Sequence, residues 1–277
     1  MNIEKNNTEI IIYKPQDFDV VQTLNCGQIF RFVIDGDTAY VCSQDKRCEI
    51  QFNADKIVIK TKDVDYFYNF FDLDRDYSII KNTLRKDRFL KSAVDYGYGI
   101  RIINNDAFEM IVSFIISANN NIKRIKNSIE YLCVNFGQNK GVYYAFPTLD
   151  QLKQATVEDF KKAGLGYRAD QMYETIQKLK QKDILNLKQM KPDDQFKFLV
   201  SLKGVGEKVA NCIMLFGLGV KSVFPVDTWI NKVYNKLTNT VTKDRNKITK
   251  ELTERYQDLS GFAQQYFFYY FRDNKLS

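Results

Sequence analysis

The chain has 277 residues, of which 44% are hydrophobic and 14% aromatic, with a net charge of +7; that suffices for one large domain or two ordinary ones around a substantial core. No apolar run is long enough to cross a membrane, and the N-terminal "MNIEKNNTEI" has no basic region followed by an apolar stretch, so a soluble protein inside the cell is expected. Histidine is absent and the five cysteines form no C-x-x-C pair, which points to reduced thiols, no metal and no cofactor, and leaves catalysis to Lys, Asp, Glu, Cys, Tyr or the backbone.

The first ~60 residues read as strands. "EIIIYK" (9–14) is short and β-branched, and "IFRFVIDGDTAYVC" (29–42) flanks a hairpin signal at Asp35-Gly36. "CEIQFNADKIVIK" (48–60) repeats the pattern around a polar turn, giving an antiparallel meander. From "DVDYFYNFFDLD" (63–74) onward the apolar spacing changes to three and four, and helices take over. Asn105 or Asp106 caps a buried helix through residues 107–118, and the next helix ends at Gly137. Further helices are predicted in 156–166, 167–182, 193–202, 207–219, 226–237 and 261–273. The fold class is therefore α+β: a small N-terminal antiparallel β-sheet domain over 1–100, then a larger all-helical domain over 101–277. Residues 1–100 hold 14 Lys and Arg against 16 Asp and Glu, which leaves 27 against 18 for 101–277. A basic half suits a nucleic-acid partner, although a surplus of this size also serves solubility.

"DDQFKFLVSL-KGVG-EKVANCIMLFGL" is a helix, a glycine turn and a second helix. Gly204 and Gly206 let the turn close and turn backbone N–H groups outward, where they can hold a phosphate oxygen. Lys208 follows at once, although a cation at a helix start is disfavoured by ~0.3–1 kcal/mol. It is expected on one face with Asn211, Cys212 and Leu215. Partial burial and the helix start both favour the neutral amine, a nucleophile able to form a Schiff base at a carbon of aldehyde oxidation level. Asp227, after Pro225-Val226, is a natural N-cap, and it lies one helix and a turn beyond Lys208. A carboxylate facing an amine can stabilise positive charge at a sugar carbon while the amine captures it.

These residues resemble the helix-hairpin-helix DNA glycosylase superfamily, in its bifunctional, lysine-bearing branch. No cysteine cluster follows the motif, unlike the iron–sulfur members. Four further stretches narrow the resemblance to the 8-oxoguanine DNA glycosylases: "NCGQIFRF" (25–32), "FIISANNNIKRI" (114–125), "LGYRADQM" (165–172) and "GFAQQYFFYYFRD" (261–273). The resemblance implies that 25–32 is a pocket strand in which the Gly27 carbonyl accepts from N7–H of 8-oxoguanine, a hydrogen that guanine lacks. Gln264 would read the Watson–Crick edge of the flipped base, stacked between Phe268 and Cys212. Asn119 and Tyr167 would fill the vacated space, and Arg124 and Arg168 would hold the orphaned cytosine. It further implies base excision by Lys208 and Asp227, followed by strand nicking, by a monomer on double-stranded DNA containing 8-oxoguanine. Its setting would be the cytoplasm or nucleoid if the source is bacterial. Lys203 stands where the family usually has proline, and Trp229 where it often has a phosphate-binding histidine. The residues by themselves leave open a glycosylase for another damaged base, or a hairpin module that binds DNA without chemistry.

Overall fold

The computed structural model describes residues 1–274. Six strands, β1 (Asn2–Lys5), β2 (Glu9–Tyr13), β3 (Phe32–Asp35), β4 (Thr38–Ser43), β5 (Lys46–Phe52) and β6 (Lys56–Lys60), form one antiparallel sheet in the order β1-β2-β6-β5-β4-β3. Alternation puts Ile10, Ile12, Ala39, Val41, Cys48, Ile50, Ile57 and Ile59 on one buried face. Against it packs α2 (Val64–Phe70), where Phe67, Phe70 and Phe71 are fully buried. Each such ring contributes roughly 2–3 kcal/mol of burial.

Two sequence expectations shift here. The hairpin loop is Gly36-Asp37, since Asp35 pairs with Thr38 and Gly36 takes the left-handed φ of +54°. The run of strands is also interrupted by a helix, α1 (Val20–Asn25), capped by the Asp19 carboxylate accepting from Gln22 N at 2.8 Å. Residues 26–31 are loop, so 25–32 is the end of a helix, a turn and the start of β3, and not a strand. The Asp19 cap, eight residues before Gly27, outweighs the β-branched tail of the stretch.

The helical part follows: α3 (Tyr77–Leu84), α4 (Lys91–Tyr96), α5 (Ala107–Ser117), α6 (Ile122–Phe136), α7 (Leu149–Leu152), α8 (Val157–Lys162) and α9 (Arg168–Lys178). Then come α10 (Gln181–Leu187), α11 (Pro192–Val200), α12 (Glu207–Gly217), α13 (Thr228–Thr238), α14 (Arg245–Tyr256) and α15 (Ser260–Asp273). Asp106 caps α5 by accepting from Glu109 N at 2.9 Å. The helix expected over 167–182 breaks in two, because Leu179 turns to an extended, buried position and Asp183 accepts from Lys180 N to start α10. The sequence reading missed α14, whose only buried residues are Ile248, Leu252 and Tyr256, a narrow stripe among charges. No helix among the described residues is long and apolar enough to cross a membrane.

The core divides into a sheet cluster and a larger helical cluster. Membership does not follow chain order: Cys26 and Phe30 belong to the helical cluster. At its centre α12 lies on α5, where a Cβ on Gly217 would sit 3.0 Å from Met110 Cβ. Gln28 and Arg101, both fully buried, tie the two parts together. Arg101 donates to the carbonyls of Phe71 and Arg75 at 2.9 Å each, to that of Asp17 at 3.1 Å and to that of Asp72.

Glu109 is the second tie. From the first turn of α5 its carboxylate accepts from Gln44 N at 2.7 Å and from Ser43 Oγ at 3.4 Å, on the sheet. Burial pushes its carboxyl up to about 7, against the pull of the Arg31 guanidinium. The folded state thus holds this proton more tightly than the unfolded chain does. The resulting stability is complete below the ordinary value of 4.5 and is lost as pH rises through about 7, a change of roughly 3 kcal/mol. Glu109→Gln keeps the acceptor and cannot ionise, so denaturant titrations at pH 5 and pH 8 should show its stability falling less than the parent's. Equal losses in both chains would remove Glu109 as the source.

Candidate active site

The hairpin between α11 and α12 is built as its glycines require. Gly204 sits at φ +79°, where an added Cβ would approach Gln171 Oε1 to 3.1 Å. Gly206 is the N-cap of α12 and no side chain caps it, so the first amides of α12 remain open to an outside acceptor. A Cβ at Gly206 would meet nothing within 4 Å, which leaves room for that acceptor to come close. The Lys203 carbonyl accepts from Thr175 Oγ1 at 2.9 Å, and its ammonium stands 3.9 Å from the Glu174 carboxylate at the surface. The turn therefore forms without proline.

Lys208, in the first turn of α12, projects over Phe114, with Nζ 5.5 Å from the ring centroid. Phe114 stacks on Phe216 at 5.7 Å and meets Phe30 edge-on at 5.8 Å. Lys208, Cys212 and Phe216 make one wall of a cavity of about 360 Å³. Asn211, expected on that face, instead lines a separate groove with Glu207, and Leu215 is fully buried. The cavity face follows the i, i+4, i+8 row of 208, 212 and 216, so of the expected neighbours of Lys208 only Cys212 shares it. Burial raises the Cys212 thiol, opposed by the nearby Lys208 ammonium, so it presents a neutral, soft surface.

Asp227 lines the same cavity and caps α13, accepting from Ile230 N at 2.8 Å. The opposite wall comes from both ends of the chain: Cys26 and Gly27 with Gln264, Gln265, Phe268 and Arg272. Gly27 lies at φ +82°, and an added Cβ would be 3.1 Å from the edge of the Phe268 ring. Both backbone angle and space thus demand glycine there. Gln264 is 5% exposed and its buried Oε1 has no hydrogen-bond partner. A buried amide oxygen left unpaired costs ~1–3 kcal/mol, which a ligand with a matching donor recovers.

The other expected residues lie outside the cavity. Asn119 takes a left-handed φ of +50° in the turn after α5, a conformation Asn tolerates, and is exposed. Arg124, in the first turn of α6, is also exposed, while its backbone N–H donates to the Asn121 cap at 3.0 Å. Tyr167 is 63% exposed at the start of α9. Arg168 is turned inward: its Nη1 donates to the Ala118 carbonyl at 2.6 Å and lies 3.3 Å from the Tyr167 hydroxyl. It pins the Tyr167 loop to the Asn119 turn and does not face outward in this state. Residues that the sequence reading did not assign to the cavity include Phe30, Phe114, Ser117, Gln265 and Arg272. Spacing on α15 could have found the last two, since 265, 268 and 272 share a face. Trp229 lines the cavity too, with Lys232 Nζ 5.3 Å from its ring.

A glycine hairpin with open amides, beside a cavity that holds a lysine and an aspartate, defines a helix-hairpin-helix protein of DNA base excision repair. The model of the 8-oxoguanine DNA glycosylase N-terminal domain matches residues 10–111, and that of the HhH-GPD superfamily of base excision DNA repair proteins matches residues 112–258. The chain belongs to the 8-oxoguanine DNA glycosylase family of that superfamily. It is 37% identical to the Clostridium acetobutylicum 8-oxoguanine glycosylase/lyase, solved with duplex DNA bearing cytosine opposite 8-oxoG, covering 99% of each chain with a TM-score of 0.91. Among curated proteins, N-glycosylase/DNA lyase OGG1 of Arabidopsis thaliana is 32% identical over 61% of this chain and 51% of its own. The N-glycosylase/DNA lyase of Saccharomyces cerevisiae is 35% identical over 58% of this chain and 47% of its own. The chain thus spans about half the length of these two curated relatives.

Proposed function

We propose that this protein excises 8-oxoguanine from duplex DNA and then nicks the strand by β-elimination. The observation that carries the reading is the convergence of Lys208, Asp227, Gly27, Cys212, Gln264 and Phe268 on one cavity. The open amides at Gly204 and Gly206 hold a phosphate, and the extruded base enters between Phe268 and Cys212. The Gly27 carbonyl accepts from N7–H of the lesion, and the unpartnered Gln264 amide takes the Watson–Crick edge. Guanine presents a lone pair at N7, so the same carbonyl repels it; one such contact gives ~1–3 kcal/mol of preference.

Lys208 Nζ attacks C1′ of the sugar as the C1′–N9 bond breaks and its electron pair leaves with the base, which takes up a proton given up by Nζ. The Asp227 carboxylate stabilises the positive charge that develops at C1′. Ring opening then gives a Schiff base between Nζ and C1′; loss of a C2′ proton expels the 3′ phosphate and cuts the strand. The scheme asks for no group from a second copy, and the protein is proposed to act on DNA as a monomer.

An incision assay on duplexes carrying 8-oxoguanine, hypoxanthine, uracil or thymine glycol tests the reading. Cleavage of the 8-oxoguanine duplex alone, with a borohydride-trapped protein–DNA adduct, is the expected result. Preferred cleavage of another lesion would reassign the substrate, and no cleavage with intact binding would leave a DNA-binding module.

On the opposite strand, Arg124 is the exposed arginine beside the Asn119 turn and is proposed to read cytosine N3 and O2. Arg168 joins it on leaving the Ala118 carbonyl. Adenine offers no matching pair of acceptors, and a good bidentate contact gives ~1–3 kcal/mol of discrimination. Arg124→Ala should therefore lower the excision preference for cytosine over adenine opposite the lesion by about tenfold, measured by single-turnover kinetics at two salt concentrations. Uniformly weaker binding with an unchanged ratio would make Arg124 a phosphate contact.

A further inference from the structure

We infer that Arg272, near the end of α15, is the positioning residue that holds the Gly27 carbonyl in register with the flipped base and so sets the preference for 8-oxoguanine over guanine. The inference rests on the activity proposed above and extends it to a residue that makes no contact in that scheme.

The turn that carries the reading carbonyl has two anchors. On its far side, Gln28 is fully buried; its Nε2 donates to the carbonyls of Thr23 at 3.0 Å and Arg101 at 2.7 Å, and its Oε1 accepts from Ile103 N at 2.9 Å. That fixes the turn against the joint between sheet and helices. On its near side, Arg272 Nη1 donates to the Asn25 carbonyl at 2.5 Å, two residues before Gly27. The guanidinium is itself steered: Nε donates to Asp273 Oδ1 at 2.8 Å. Its centre lies 5.0 Å from the Tyr269 ring centroid and 5.8 Å from that of Phe268. Burial lifts the intervening Cys26 thiol to about 12, and the Arg272 charge acts against that rise, which places the cation's field on the same turn.

One side chain thus grips both edges of the slot for the base. It holds the chain that bears the reading carbonyl, and it lies against the Phe268 ring whose edge abuts Gly27. Selection against guanine at N7 depends on a hydrogen bond whose strength falls steeply with distance and angle. A carbonyl free to drift by ~1 Å accepts poorly from the lesion and repels guanine less. Attachment to duplex DNA does not depend on that register, since the hairpin amides and surface cations supply it.

The test measures affinity for duplexes carrying 8-oxoguanine or guanine opposite cytosine, with all variants made on a Lys208→Gln chain so that no cleavage intervenes. Arg272→Met keeps the aliphatic stem and removes the cation and donors; it should cut the 8-oxoguanine-to-guanine ratio about tenfold while guanine-duplex affinity does not fall. Arg272→Lys, which retains a charge and a donor, should stay within about threefold of the parent. Asp273→Ala leaves the guanidinium present but unsteered; it supplies an independent reading if Arg272→Met folds poorly, with an expected fall of about threefold. An unchanged ratio in Arg272→Met and Asp273→Ala, or equal weakening on both duplexes, would overturn the positioning role. No preference for 8-oxoguanine in the parent itself would instead overturn the proposed activity, and the role with it.

Discussion

Lys208→Gln is expected to abolish base excision and borohydride trapping while lesion-containing DNA is still bound. Glutamine approximates the length of the lysine stem and has no nucleophilic nitrogen, so neither the C1′ bond nor the Schiff base can form. Loss of a nucleophile at a site that acts as a unit lowers single-turnover excision by more than about 10³-fold. The fold should not suffer, because the substitution removes a cation from the start of α12, a change worth ~0.3–1 kcal/mol in the stabilising direction. Binding persists because the amides after Gly204 and Gly206 and the wall formed by Gly27, Gln264 and Phe268 are untouched. A trapped adduct with this variant would mean that another amine is the nucleophile. Lys221 is the amine to examine next: burial lowers it to about 8, although its Nζ is held by Asn104 Oδ1 at 3.0 Å and lies outside the cavity.

Asp227→Asn separates the cap seen in the structure from the catalytic role proposed for this residue. As a cap, Asp227 accepts from Ile230 N at 2.8 Å, and asparagine caps about as well, so stability should change by less than ~0.5 kcal/mol. In the proposed catalytic role it supplies a full negative charge beside the sugar, and the amide supplies none. Removing one such stabilising group costs ~10²–10³ in rate. Matched measurements of thermal stability and single-turnover excision check both halves in one variant. Near-normal excision would leave Asp227 as a cap alone, and a large loss of stability would show that the helix start needs the charge.

Much of the site was legible because its parts are local. Gly204, Gly206 and Lys208 fall within five residues, and the chemistry of a lysine at an uncapped helix start follows from that adjacency. Asp106 and Asp227 were readable as caps because each precedes an apolar row by the right spacing. Errors came where two local signals competed. "NCGQIFRF" contains aromatic and β-branched residues that suit a strand, but the Asp19 cap and the left-handed Gly27 make a helix end and a turn. In 167–182 the apolar period continues through Leu179, and only the Asp183 cap reveals the break. Arg168, expected at the opposite base, is held inward by the half-buried Ala118 carbonyl, a contact with no local signature in the sequence.

The sequence by itself determined the reagents of this protein: a hairpin amine, a capping carboxylate, a glycine where no side chain fits, and no histidine with which to build a different chemistry. Those are properties of residue type and of neighbours within a few positions along the chain. Only the tertiary structure decided that Cys26–Gly27 and Gln264–Arg272, from opposite ends of the chain, come together as one wall of the cavity. It alone decided that Glu109 is buried beneath the sheet and that Arg272 grips the turn it faces. The physical reason is that periodicity states which face of a helix is apolar, whereas its partner is chosen by the packing of all faces together. Contacts between distant residues carry no local signature, and their hydrogen bonds exist only once the core has closed.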